Sequence, residues 1–131
     1  MSAAQNRQLI EDAFTKWARG DGAAFFNLLD DNVRWTVIGS TPVSRTFTSK
    51  RDFQQGALIP MGEKLSGAIQ PTVRDIIADG DKLALQWEGR ATGKNGTIYH
   101  QTYCWVMRLN AGKIVEGTAY LDTELISQLW K

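Results

Sequence analysis

Three turn signals, Asp79-Gly80-Asp81, Gly93-Lys94-Asn95-Gly96 and Asn110-Ala111-Gly112, cut the chain from Ala68 onward into four β-branched and aromatic runs. Glycine and asparagine reach positive φ at little steric cost, so such clusters between alternating runs are hairpin connections, and the second half of the chain is predicted to be an antiparallel meander. The first half has a different period. Leu9, Ile10, Ala13, Phe14, Trp17 and Ala18 recur at helical spacing behind a candidate cap at Ser2, with Gly20 as a stop signal, which predicts an amphipathic helix over residues 3–19. Asp21 can cap a second, short helix through Leu29, broken by Asp30-Asp31-Asn32. Val33 to Ile38 reads as a strand, Gly39-Ser40-Thr41-Pro42 as a turn, and Lys50 to about Leu58 as a third helix that Pro60 and Gly62 interrupt. Helices first and a meander after them predict an α+β fold, a curved antiparallel sheet wrapped around the long N-terminal helix.

At 131 residues and 43% hydrophobic content the chain has the size of one compact domain, residues 1–131, with enough apolar material for a core. Fifteen basic against fourteen acidic residues leave a formal charge of +1, and the longest like-charge runs are pairs such as Lys50-Arg51. That charge distribution lacks the concentrated cations of a nucleic-acid binder. The N-terminus has no apolar h-region and no stretch approaches the ~20 apolar residues needed to span a bilayer, so a soluble, cytoplasmic protein without a membrane partner is expected. One cysteine, Cys104, cannot make an internal disulfide, fits a reducing compartment and reads as a small hydrophobe. With one histidine, one cysteine and no GxGxxG or GxxxxGK sequence, neither a metal nor a nucleotide cofactor is called for.

Strict alternation in the last predicted strand, Lys113 to Asp122, puts Ile114, Glu116, Thr118, Tyr120 and Asp122 on one face and Val115, Gly117, Ala119 and Leu121 on the other. A face mixing acids with aromatics suits neither solvent nor a sealed core and is expected to line a pocket. In the penultimate strand Tyr99, Gln101, Tyr103, Trp105 and Met107 share a face opposite His100, Thr102, Cys104, Val106 and Arg108. Joined by Trp17, Trp35 and Trp87, these residues predict a small-molecule pocket with aromatic walls and few polar groups. The small apolar face carrying Val115, Ala119 and Leu121, continued by Val106, is expected to pair two copies as a homodimer. Plainer roles stay open: the aromatics as ordinary sheet packing, Glu116 as the partner of an arginine such as Arg90, Asp122 as the N-cap of a C-terminal helix from Thr123 to Trp130, and His100 as an exposed residue.

The order of elements, the Gly39-x-Thr41-Pro42 turn and the closing Gly112-Lys113-Ile114-Val115-Glu116…Tyr120-x-Asp122 resemble the nuclear transport factor 2-like superfamily of cone-shaped α+β domains, and within it the SnoaL-like and ketosteroid-isomerase-like proteins. The resemblance implies a fold more firmly than a function, because this cone hosts isomerases, cyclases, dehydratases, epoxide hydrolases and non-enzymatic binders. Ketosteroid isomerases carry a tyrosine on the first helix, an aspartate base on the first strand and a second aspartic acid on the penultimate strand. Here the first helix has no tyrosine, and neither Val33–Ile38 nor Tyr99–Leu109 holds an acid. Limonene-type epoxide hydrolases use Arg-x-Asp on an interior strand, and the sole such triplet here, Arg19-Gly20-Asp21, lies at a helix end. SnoaL-like cyclases carry an aspartate eight residues after the Ile of the Gly-Lys-Ile turn, the position of Asp122. The resemblance thus implies a cofactor-independent isomerase, cyclase or lyase acting on an apolar carbonyl compound. Asp122, desolvated among Trp35, Trp87 and Tyr120 and repelled by Glu116, would be the acid or base, with Tyr103 or Gln101 bonding the enolate oxygen. The alternative is a binding or scaffold protein that uses the same pocket without turnover.

Overall fold

A computed structural model describes all 131 residues, Met1–Lys131. The N-terminal helix α1 spans Ala3–Ala18, and its start is fixed by a capping box in which Ser2 Oγ accepts the Gln5 N–H and Gln5 Oε1 accepts the Ser2 N–H. A single turn, α2 (Ala23–Phe26), follows, shorter than the predicted helix and without the Asp21 side-chain cap. The strand β1 begins already at Leu29 and runs to Val37, absorbing the Asp30-Asp31-Asn32 segment read as a breaker. Pairing supplies the reason: β1 lies parallel to the last strand, and its register shifts between Leu29 and Arg34, so the acidic triplet is carried in an irregular stretch of ladder.

The short β2 (Thr46–Phe47) leads into α3 (Lys50–Phe53), a π-helical turn over Gln54–Leu58 and α4 (Ile59–Lys64). Pro60 does not interrupt this run. It stands near the start of α4, directly after the π-helical turn, and the helical run continues through it. The meander then follows as predicted: β3 (Gln70–Asp79), β4 (Lys82–Thr92), β5 (Ile98–Asn110) and β6 (Lys113–Leu121), closed by α5 (Thr123–Gln128). The sheet order is β2-β1-β6-β5-β4-β3, antiparallel except for the parallel β1/β6 pair, so the sheet is mixed rather than wholly antiparallel. No helix is long and apolar enough to cross a membrane.

Asn110 pairs with Lys113, which makes the last hairpin a two-residue loop of Ala111 and Gly112, both at positive φ (49° and 80°), the type I′ geometry. Just beyond it the ladder contains a bulge: Leu109 faces Ile114 and Arg108 faces Glu116, leaving Val115 without an opposite number. One extra residue reverses the parity of everything after it. Ile114 points inward, as expected, but so do Gly117, Ala119 and Leu121, while Glu116, Thr118 and Tyr120 stand on the outer face. The predicted face assignment of β6 is therefore corrected beyond Ile114.

The concave side of the sheet holds the core. Phe14 and Trp17 of α1 meet Phe25 of α2 and Trp87 and Trp105 of the sheet in a cluster of tilted, edge-on and stacked rings with centroids 4.8 to 6.2 Å apart.

Candidate functional site

The sheet and the α3–α4 segment enclose an open-mouthed cavity of about 840 Å³. Its floor and walls come from Trp17, Trp35, Trp87, Tyr103 and Trp105 together with the inward small residues Ala119 and Leu121. Phe53, Ala57, Leu58, Met61, Leu65 and Ile69 form the opposite side. Four of the five tryptophans thus line one space. The size and apolar character are those of a small-molecule site. Space for the ring of Trp35 exists because its ladder neighbour is Gly117, where a Cβ would overlap the ring carbons Cζ3 and Cε3.

Gln101 organises the buried polar part. Its Oε1 accepts the backbone N–H of Asp122 (2.8 Å) and of Thr102 (3.1 Å), and its Nε2 donates to the Asp122 carbonyl (2.9 Å) and to the Tyr99 hydroxyl (3.3 Å). Backbone N–H groups can only donate, so the amide has one possible orientation. Tyr99 Oη lies 2.7 Å from Tyr103 Oη. The two hydroxyls carry two protons but share one O···O contact. Tyr99 is fully buried and already accepts from Gln101, so the arrangement that leaves no proton stranded has Tyr99 donating to Tyr103 and Tyr103 presenting its own proton to the cavity it lines. Burial holds both phenols in the neutral donor form: it pushes Tyr99 up to about 12 and Tyr103 well above the usual tyrosine value. The Tyr103 ring stacks on Trp87 at 4.2 Å and 10°, which fixes its position.

Two indole N–H groups lie within the packing behind the same walls. Trp87 Nε1 and Trp105 Nε1 are buried without a hydrogen-bond partner. At the mouth, Arg51, Gln54 and Gln55 are the polar lining groups, and no carboxylate lines the cavity.

Several predicted site residues are brought together here: Trp17, Trp35, Trp87, Tyr103 and Trp105 line the cavity, with Tyr99 and Gln101 directly behind Tyr103. Others are not. Glu116, on the outer face, bonds Arg108 Nη2 at 2.8 Å, and that guanidinium holds its carboxyl below the usual carboxylate range. Thr118 shares that outer surface with Arg34, Thr36 and Lys82, and Tyr120 is 47% exposed. Asp122 caps α5: its exposed side chain accepts the Leu125 N–H through Oδ1 at 3.1 Å, and it is absent from the cavity wall. The desolvated carboxylate expected among Trp35, Trp87 and Tyr120 is not formed, because the bulge turns Glu116 and Tyr120 away and the helix start claims Asp122. Ala119 and Leu121 face the cavity, so they cannot form the back-face dimer contact expected of them alongside Val106 and Val115. His100 is exposed and bonds Glu88 at 3.1 Å.

The mouth was missed at the sequence level. The signal lay in Ala57-Leu58-Ile59-Pro60-Met61, too apolar for a short solvent-facing helix, with Phe53 and Ala57 four apart on the inward side. Gly56 brings this segment close to the sheet: a Cβ there would meet Phe47 Cε1 at 2.5 Å and Arg45 Nη2 at 2.7 Å.

Comparison with known proteins gives the same architecture. Bal32a, from a soil-derived mobile gene cassette, superposes with a TM-score of 0.82 at 16% identity, covering 98% of each chain. An NTF2-like protein of Burkholderia thailandensis E264 gives 0.80 at 23% identity over 96% of this chain and 97% of its own. TerC, co-crystallised with polyporic acid, gives 0.77 at 17% identity over 95% and 96%. No curated protein matches the sequence. The profile of the SnoaL-like domain covers residues 10–117, and the chain belongs to that family.

Proposed function

We propose that this protein binds an apolar, carbonyl-bearing small molecule inside the cone, with the Tyr103 hydroxyl on the carbonyl oxygen. The observation that carries the reading is the Gln101–Tyr99–Tyr103 relay ending at an otherwise apolar wall. A hydrogen-bonded chain of this kind holds its last hydroxyl rigidly in place, and one convergent donor in an aromatic cavity orients a ligand. TerC, a protein of this fold, was co-crystallised with polyporic acid.

The test is a thermal-shift screen of steroids, terpenoids and polyketide-like aromatics against wild type, Tyr103→Phe and Asp122→Asn. A ligand at a hundredfold its Kd contributes about 2.7 kcal/mol. The expected hit stabilises wild type and Asp122→Asn equally and Tyr103→Phe less. No hit, or hits indifferent to Tyr103, would contradict the reading.

The same relay favours a second, catalytic reading, a cofactor-independent isomerase, cyclase or lyase. A neutral phenol fixed by a second phenol is a preorganised donor for a developing enolate oxygen. Asp122 caps α5 in solvent and no carboxylate lines the cavity, so in this reading the α-proton would pass to water entering through the open mouth while Tyr103 donates to the enolate oxygen. Deuterium incorporation at the α-carbon of a bound ketone in D2O, lost in Tyr103→Phe, would support turnover; exchange at the uncatalysed rate in wild type would leave binding as the function.

A further inference from the structure

Apart from Tyr103 the inner cavity wall is apolar, and the indole N–H groups of Trp87 and Trp105 are turned into the packing, away from the open space. At the mouth the one charged lining residue is Arg51. The carboxylate next to it in sequence, Asp52, is occupied elsewhere, since Arg45 takes both of its oxygens at 2.9 and 3.1 Å. The Thr48 N–H also donates to Asp52, at 3.1 Å. Arg51 itself forms no ion pair, and with Gln54 and Gln55 it makes a polar rim around an apolar opening.

We infer that Arg51 makes this cavity selective for acids: its ligand is an aromatic molecule with an acceptor oxygen toward Tyr103 and a carboxylate, or an anion of equivalent shape, at the mouth. This deepens the binding reading above and rests on it. A planar guanidinium matches a carboxylate through two parallel N–H···O bonds, which a lysine cannot reproduce. With no carboxylate on the wall a ligand cation finds only aromatic faces and no counter-ion, whereas a ligand anion finds the free guanidinium of Arg51. The π-helical turn Gln54–Leu58 lies directly after α3, so the chain that carries Arg51 also supplies Ala57 and Leu58 to the apolar side of the same opening. One short segment would therefore read both the charge and the body of the ligand.

Three naphthalenes of similar size test this by isothermal titration at pH 7: 2-naphthoate, the neutral ketone 2-acetylnaphthalene and the cationic 2-naphthylmethylamine. A charge-assisted contact at a solvent-facing rim corresponds to about a tenfold change in Kd. The expected order in wild type is naphthoate about tenfold tighter than ketone, and amine weakest. In Arg51→Gln the naphthoate advantage disappears while ketone affinity is unchanged, and Arg51→Lys retains part of it. Equal affinity of naphthoate and ketone in wild type overturns the inference and leaves the binding reading standing. A preference that survives Arg51→Gln assigns it to another cation and also overturns the inference. Failure of all three probes overturns the binding reading and this inference with it.

Discussion

Gly117→Ala is the substitution that probes the architecture of the cavity most sharply. Gly117 sits beside Trp35 in the parallel β1/β6 ladder, and an added Cβ would overlap Cζ3 and Cε3 of that ring, with Cη2 at 3.1 Å. Carbon atoms pack at about 3.5–4.0 Å, so the ring must move by roughly 1.5 Å. It has little freedom. Trp35 is 1% exposed, stacked on Phe53 at 5.3 Å and edge-on to Trp105 at 5.1 Å, so it can move only toward the cavity, taking α3 with it. Overpacking against a rigid ring falls at the upper end of the usual range, about 3 kcal/mol, reduced by about 0.5 kcal/mol from the stiffer unfolded chain. A net loss of about 2.5 kcal/mol should lower Tm by about 8 °C in a chain of this size. Urea unfolding of wild type, Gly117→Ala, Trp35→Leu and the double variant completes a cycle. Trp35→Leu alone leaves a void and destabilises by about 2–3 kcal/mol. The methyl group added by Gly117→Ala fills part of that void, so the double variant should be more stable than the sum predicts by at least about 1 kcal/mol. Gly117→Ala within about 0.5 kcal/mol of wild type, or strict additivity, would refute the placement of Trp35 against Gly117.

Other expectations follow from particular contacts. Asp122→Ala should destabilise by about 1 kcal/mol through the lost cap of α5, with Asp122→Asn nearly neutral because asparagine caps equally well; equal losses in chemical unfolding would contradict the capping role. Ala111 occupies positive φ in a type I′ loop, so Ala111→Gly or Ala111→Asn should raise stability by about 1 kcal/mol, and a drop would contradict that loop geometry. Tyr99 and Tyr103 have folded-state values above their unfolded ones. The unfolded chain therefore loses these protons first, and the stability they contribute is present below pH 10 and falls as pH rises through about 12; Tyr99→Phe/Tyr103→Phe should flatten that alkaline slope in urea titrations. Ala119→Asp should destabilise the fold from within, since Ala119 is 4% exposed and lines the cavity, and sedimentation of the folded fraction should match wild type.

Local signals carried much of this fold into the sequence. The Ser2–Gln5 box and the spacing of Ile10, Ala13, Phe14 and Trp17 define α1, and the glycine-bearing turns define β3 to β6. The inward face of β5 was legible because Tyr99 through Met107 alternate without interruption. The inward face of β6 was not. The bulge at Val115 carries no glycine or proline to mark it, and it inverts every residue from Glu116 on. Gly117 and Ala119 offered an indirect clue, since a wall crowded with tryptophans needs small residues facing it. The parallel β1/β6 pairing joins segments some 80 residues apart through a non-local ladder, which no local pattern encodes. Asp122 shows why a spacing match is weak evidence for chemistry: the count from Ile114 holds, but the bulge and the helix cap decide where the carboxylate points.

The most direct measurement is a two-dimensional 1H–15N spectrum of the indole N–H groups during titration with 2-acetylnaphthalene. The five tryptophans give five signals, four from the cavity wall and one from Trp130 outside it. Binding in the cone predicts shifts among Trp17, Trp35, Trp87 and Trp105 and none for Trp130. Shifts confined to Trp130, or five unmoved signals at saturating ketone, would contradict a ligand site inside the cone.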